Sequence, residues 1–507
     1  MKEMMFKSKQ HNSQYSLTQK LFVLLLSILV VAMVVYLFGD GISGNDFWWH
    51  VKVGEYVVST NSVPTHDVFS WVGIEKGIPW TAHEWLSDVF FYHLYSAFGE
   101  TGIFVFSFAL AILLVGLLWN EAKNFSKTNL PLTGLFFILL SPVLCSFFYG
   151  RPHVFSFFLL FAELKVLFSW HQKRDKRIFI IPFLSVLWSN LHGGSSSLSY
   201  LLCALFLIAG VFEVKTGKIS NNKYSKKDIL ELSLTTLLAV LALLLNPIGS
   251  KVIVYPFQNL SDKISMAMIS EWQPPDAKNI GAVILYFVPM LLMFVGFIST
   301  EKRIDMIDIV IMLFFVFCFL RSVRFIILWY IASVFCAFKY VPKCDIKEIK
   351  RRWERIILGL SIATAIVLLV ICSVRFAKKI RNGNLIQTVL SEEAISVIKT
   401  DAAMRIFNDY NFGEALIFND IKTFFDARAD LFAAENIMRD GMSLTYLSPM
   451  HDENTNEFSV ESIISKYDFD AFVTLKTRPL FAYLSSQPQN YRLIYEDEDM
   501  AYFKRLS

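Results

Sequence analysis

Long apolar runs alternate with short polar segments over the first three quarters of the chain, and that pattern changes near residue 375. The runs lie near 20–38, 101–119, 131–149, 152–170, 178–195, 197–214, 229–246, 281–299, 306–322, 324–340 and 356–374. Most hold the roughly 20 apolar residues that a helix needs to cross a bilayer. They predict a polytopic α-helical membrane protein with about 11 transmembrane helices. The first run, LFVLLLSILVVAMVVYLF, is longer than the apolar core of a signal peptide and has no small-residue cleavage site, so it reads as an anchor. Beyond 375 the apolar stretches shorten. ALIF (415–418), TFFDAR (423–428), AFVTL (471–475), YRLIYED (491–497) and MAYFKR (500–505) read as strands, and segments near 390–399, 456–467 and 478–486 as helices. The expected organisation is a short cytoplasmic start (1–19), a transmembrane core (20–375) with an outside loop at 40–100, and a soluble extracytoplasmic α/β domain (376–507).

Lys and Arg fix the orientation. MKEMMFKSKQ precedes the first run and HQKRDKR, KTGKISNNKYSKKD, TEKR and KEIKRRWER fall between alternate pairs of runs, whereas the intervening loops hold few basic residues, chiefly Lys52 and Lys76. Basic loops stay cytoplasmic, which places the N-terminus inside and the tail outside. Composition agrees: of 507 residues 54% are hydrophobic and 18% charged, against about a quarter charged in soluble domains. Residues 391–507 carry 11 Lys/Arg and 20 Asp/Glu, a net of 11 − 20 = −9, while the whole chain is +4. The basic excess belongs to cytoplasmic loops and calls for no nucleic-acid partner. The 6 cysteines lie in or beside apolar runs and offer no disulfide framework.

Chemistry gathers at the ends of the runs predicted to face outward. Residues 44–85, GNDFWWHVKVGEYVVSTNSVPTHDVFSWVGIEKGIPWTAHEW, place Asp46, Trp48, Trp49, His50, His83 and Glu84 at a membrane surface. Asp46 fits a general base that takes a proton from an acceptor hydroxyl, and Glu84 is the second catalytic candidate. The competing reading of Asp46 is a helix cap. Trp48 and Trp49 suit stacking on sugar or isoprenoid, or an interfacial aromatic belt. Adjacent His83 and Glu84 would begin a divalent-metal site, though no third ligand stands at a fixed spacing. YGRPH brings Arg151 and His153, SNLHGG brings Asn190 and His192, the seventh run ends at Asn246, SEWQPPD carries Glu271 and Trp272, and RSVR contributes Arg324. Arginines here would stabilise the charge on a departing lipid phosphate or snorkel to head groups. Polar groups at membrane depth are costly and usually face a cavity. Their shared side argues for one site. In the tail, the charges of FFDARADLF (Asp426, Arg428, Asp430) read as a local capping and ion-pair network, with no sequence link to Asp46.

Taken together, NDFWWHVKVGE, VPTHDVFSW, PWTAHEWL, RPHVFSF, NLHGG, NP, EWQPPD, RIFNDYNFGEALIF and FFDARADLF resemble a bacterial family of polytopic membrane proteins related to GT-C-type glycosyltransferases, which use polyprenyl-phosphate sugars. That resemblance implies a GT-C-like fold and an acidic catalytic base in the first outside loop, the position of Asp46. Many such enzymes carry two adjacent acids; here Asn45 precedes Asp46. It further implies inverting transfer of a sugar from a polyprenyl-phosphate donor to a cell-surface glycan, lipid or protein acceptor. Two other classes remain open: a transporter or flippase of a lipid-linked glycan, and a non-catalytic envelope assembly protein. Polar groups spread through the bilayer in paired halves would favour transport; here they cluster at one face.

Overall fold

The computed structural model describes residues 17–38, 46–126, 130–261, 266–267, 269–341, 351–382, 389–401, 403–433, 436–450 and 459–506. Most of the predicted 1–19 segment, Asn45, and the start of the predicted 456–467 helix lie outside those residues.

Helices occupy the apolar runs. Among the described residues, four are long and apolar enough to cross a membrane: Trp85–Ala122, His153–Lys173, Gly193–Val211 and Ile280–Ser299. Shorter apolar helices run over Phe22–Val34, Pro131–Cys145 and Val323–Cys336. The run at 178–195 forms only Ile181–Leu191 as α-helix, because His192 turns out of it at φ −154° and a tight turn over the glycine pair follows. The 101–119 run belongs to a longer element, Trp85–Ser126, that breaks at Gly99 (φ 59°). A left-handed residue there costs glycine nothing, so the first half of the element is free to take its own direction.

That first half packs against Phe47–Thr60, so the segment after the first run is a buried helix with a pendant short helix, Trp71–Lys76, rather than an open loop. Gly54 makes the approach possible, since a Cβ there would fall 2.1 Å from the Asp88 carbonyl oxygen.

The tail forms a four-stranded sheet in the order Ile406–Asn408, Ala471–Leu475, Met500–Arg505, Tyr491–Glu496. The first pair is parallel, with Ile406 opposite Ala471, and the others are antiparallel. Helices Glu392–Asp401, Val460–Tyr467 and Pro479–Ser485 surround it. Two expected strands do not form. ALIF (415–418) is the end of the helix Gly413–Phe418, buried on nearly all sides, so its unbroken apolar character carries no strand information. TFFDAR (423–428) is irregular because side chains take the backbone amides a ladder would use: Phe424 N–H donates to Asn408 Oδ1 (2.8 Å), Ala427 N–H to Glu414 Oε1 (2.9 Å), and Arg428 N–H to Asp426 Oδ1 (3.0 Å).

The tail is fused to the 47–85 segment. One continuous core joins Trp49, Val53, Phe69, Trp71 and Trp80 to Phe407, Phe424, Phe425, Phe432, Phe469 and Phe472. Trp71 N–H donates to Thr423 O (2.9 Å), Trp71 Nε1 to Ile406 O (3.0 Å), and Lys52 pairs with Asp420 (2.7 Å).

Candidate active site

One cavity of about 350 Å³ collects residues from six separate parts of the chain. Asp46, Trp49, His50, Trp80, His83 and Glu84 come from the first segment, Arg151 and His153 from the start of the His153–Lys173 helix, and His192 from the turn before the next helix. Trp272 and Arg324 come from two later turns, and Ala427–Asp430 from the tail. The other wall is apolar, with Phe147, Phe157, Leu198, Leu201, Phe314, Phe317 and Leu328.

Asp46 occupies the N-cap position of Phe47–Thr60, yet its side chain makes no cap hydrogen bond. A capping aspartate would spend its oxygen on the helix amides. This one turns to Arg151, whose Nε lies 3.0 Å from Oδ2, in ion-pair contact but off the hydrogen-bond direction. Burial pushes the Asp46 carboxyl up while Arg151 opposes that shift. Arg151 also donates from Nη1 to both oxygens of Glu271 (2.9 and 3.1 Å). Burial alone would raise Glu271; the arginines beside it, Arg151 first, hold it down at about 2. Ser322 Oγ–H donates to the Glu271 carbonyl (2.9 Å), which ties the SEWQPPD turn to the turn that carries Arg324. Arg151 is thus in ion-pair contact with two carboxylates. Among the described residues Arg324 has no carboxylate in ion-pair reach, and its charge is open to a ligand.

On another wall His192 Nδ1 meets Ser156 Oγ and Ser195 Oγ, each at 2.6 Å, and Nε2 lies 3.4 Å from Glu84 Oε1. His83 Nε2 is 3.7 Å from that same oxygen. Burial raises Glu84 to about 8, so it is protonated at neutral pH. Burial lowers His83 and His50, which keeps both imidazoles neutral. His50 Nδ1 is anchored on Asp88 at 2.6 Å. His153 Nε2 is held at 2.6 Å from the Phe147 carbonyl. The indole N–H groups of Trp49 and Trp80, both at the cavity, are buried without a hydrogen-bond partner.

Four sequence candidates stay out of the cavity lining: Trp48, Asn190, Asn246 and Glu271. Trp48 is 4% exposed and packs on Phe47, Tyr95 and Phe418, so it stacks on protein and not on substrate. Asn190 accepts from Trp85 Nε1 (2.7 Å) and donates to the carbonyls of Val186 and Leu245. Asn246 donates to the carbonyls of His83 (3.0 Å) and Ser189 (2.6 Å), and so supports the His83 turn from behind. Glu271 acts through Arg151. The suggested divalent site gains no support from the ligands: among the described residues no three His, Cys, Asp or Glu side chains converge.

The tail wall was not legible in sequence. Arg428 is 2% exposed; Nε and Nη2 donate to the two oxygens of Asp426 (2.8 and 2.7 Å), and Nη1 donates to Asp67 of the first segment (2.7 Å). Its guanidinium lies 4.7 Å from the Trp80 ring centre. The expected local network of FFDARADLF therefore reaches the first segment and places Ala427–Asp430 over the cavity.

No protein-family model matches the chain, and no curated protein matches it. Among solved structures the chain is similar to the oligosaccharyltransferase AglB from the archaeon Archaeoglobus fulgidus, determined with an inhibitory peptide and a dolichol-phosphate. The TM-score is 0.51 at 11% identity, over 89% of this chain and 69% of that one. The likeness is one of fold. The helical architecture expected from the sequence therefore has a solved counterpart in that protein.

Proposed function

We propose that this chain is a membrane glycosyltransferase of the GT-C type, with about 11 spans. It moves a sugar from a polyprenyl-phosphate-linked donor to a glycan, lipid or protein acceptor at the outer face of a bacterial cytoplasmic membrane. The observation that carries the reading is the carboxylate of Asp46, uncapped and held by Arg151, in one cavity with the unpaired Arg324 and a long apolar wall. The prenyl chain lies along the apolar wall and Arg324 receives the phosphate. Trp49 and Trp80 offer donors and aromatic faces to the sugar.

The reaction is a direct displacement with inversion. Asp46 takes the acceptor hydroxyl proton as the oxygen bonds to the anomeric carbon. The bond from that carbon to the phosphate oxygen breaks, and the electron pair leaves with the phosphate, whose charge meets Arg324. Arg151 orients Asp46, and Glu271 orients Arg151. Protonated Glu84, with His83 and His192, hydrogen-bonds substrate and holds that wall. The test is release of polyprenyl phosphate by the full chain in lipid nanodiscs. Asp46→Asn should lower turnover about 10²–10⁴-fold, the scale of a lost general base. Turnover near that of the unaltered protein would remove Asp46 from the role, with Glu84 next to be tested.

A further inference from the structure

Charge pairing inside the cavity leaves two groups over. Asp46 and Glu271 both contact Arg151 in one chain of ion pairs, and Arg428 is enclosed by Asp426 and Asp67. Of the charged side chains on the wall, Arg324 and Asp430 remain, and among the described residues neither has an ion pair or hydrogen bond from its side chain, with each other or with anything else. Asp430 lies in the first turn of the short tail helix Ala429–Ala433, two residues after the Arg428 clamp. Its charge is felt at His83 and Glu84, on the polar wall. An unpaired charge in a confined cavity is costly until a ligand supplies its complement.

A phosphate is complementary to Arg324 and repelled by Asp430. The second charge therefore faces a different part of the bound substrates. A carboxylate only accepts hydrogen bonds, so that part must donate them and must not be anionic. We propose that Asp430 is the residue that selects the acceptor: it admits an acceptor whose reacting end bears hydroxyl or ammonium groups and rejects one bearing a carboxylate or phosphate there. The tail then contributes directly to specificity. This inference rests on the glycosyltransferase reading above.

The experiment uses the full chain in nanodiscs with named probes. Undecaprenyl phosphate tests the Arg324 pole by calorimetry. Methyl glucoside, methyl glucosaminide and methyl glucuronide test the Asp430 pole by saturation-transfer NMR with undecaprenyl phosphate present. The unaltered protein should bind the glucoside and glucosaminide at least about tenfold more tightly than the glucuronide, since like charges in a partly buried site weaken binding on that scale. Asp430→Asn should erase the discrimination against glucuronide and leave undecaprenyl phosphate affinity unchanged. Asp430→Glu, which keeps the charge, should retain it, and equal melting temperatures would show that all three forms are folded. Equal affinity of the unaltered protein for the three glycosides, or unchanged discrimination in folded Asp430→Asn, would overturn the proposal. Failure of undecaprenyl phosphate to bind would instead overturn the glycosyltransferase reading beneath it.

Discussion

Removing Arg428 tests the coupling between the tail and the cavity. The side chain gives three hydrogen bonds of 2.7–2.8 Å to Asp67 and Asp426, which are 4% and 0% exposed. Arg428→Ala leaves two buried carboxylates facing an empty space. Breaking a buried pair by removing one partner costs about 3–5 kcal/mol, well above the 0–1 kcal/mol of a surface pair. The variant should also misplace Ala427–Asp430, so activity per folded molecule falls along with stability. The pH dependence identifies the cause. In the intact protein burial raises the Asp67 carboxyl, but Arg428 outweighs it and holds the group below the usual carboxylate range. Its stabilisation is therefore present above the unfolded pKa and is lost as pH falls through the lower folded value. Without Arg428 burial wins, the folded pKa lies above the unfolded one, and ionised Asp67 opposes folding. The variant's deficit should thus be largest near pH 7 and shrink towards pH 4.5. Adding Asp67→Asn to Arg428→Ala should recover part of the loss at pH 7. Thermal melting of the full chain in nanodiscs at several pH values measures this. A deficit that does not change with pH, or no deficit at all, would refute the buried-charge argument. Normal activity despite the deficit would detach the tail from the site.

The remaining expectations are briefer. Arg324→Ala should weaken undecaprenyl phosphate binding by about tenfold or more, as loss of a charge-assisted contact does; calorimetry that shows unchanged affinity would place the phosphate elsewhere. Glu84→Gln should flatten the stability profile: a buried carboxyl raised to about 8 destabilises the fold progressively between its unfolded pKa near 4.5 and pH 8, so the variant should melt higher than the parent at pH 8 and alike at pH 4.5. Trp48→Ala should cost about 3–5 kcal/mol of stability with little effect on turnover of the protein that remains folded, and a turnover loss without a melting shift would return Trp48 to the substrate. Gly54→Val should abolish stable folding, because its Cβ would overlap the Asp88 carbonyl; a normally melting variant would mean the two helices can part.

How far the sequence was legible follows from the range of each interaction. Apolar runs announce helices because a bilayer length of hydrophobic residues is a local property, and all the described runs are helical. Asp46 was legible as a candidate from its aromatic neighbours, but its two readings, cap or base, differ only in where the carboxylate points. That direction is set by Arg151, more than a hundred positions away. The same holds for the two arginines. Both look alike in sequence, and only the contacts with Asp46 and Glu271 show that Arg151 is already ion-paired while Arg324, among the described residues, is not. Trp48 and Trp49 are adjacent, yet on a helix adjacent side chains point about 100° apart, so one enters the core and the other the cavity.

The tail was the least legible part for a related reason. Its alternating charges satisfy the rule for a local network, and half of that network is local: Asp426 and Arg428 are two residues apart. The other half, Asp67, belongs to a segment that reads as a separate loop. Sequence reasoning assigns a buried charge to the nearest opposite charge, whereas burial forces the full donor set to be met wherever partners can be found. Arg428 has more donors than Asp426 can accept, and that surplus is the signal that was available. Asp426 and Asp430 flank Arg428 alike in sequence, but only Asp426 turns to it, and the second acid comes from VPTHDVFSW as Asp67. The tail wall of the cavity goes with that surplus, because the contacts that satisfy Arg428 are next to Ala427, Ala429 and Asp430 on its lining.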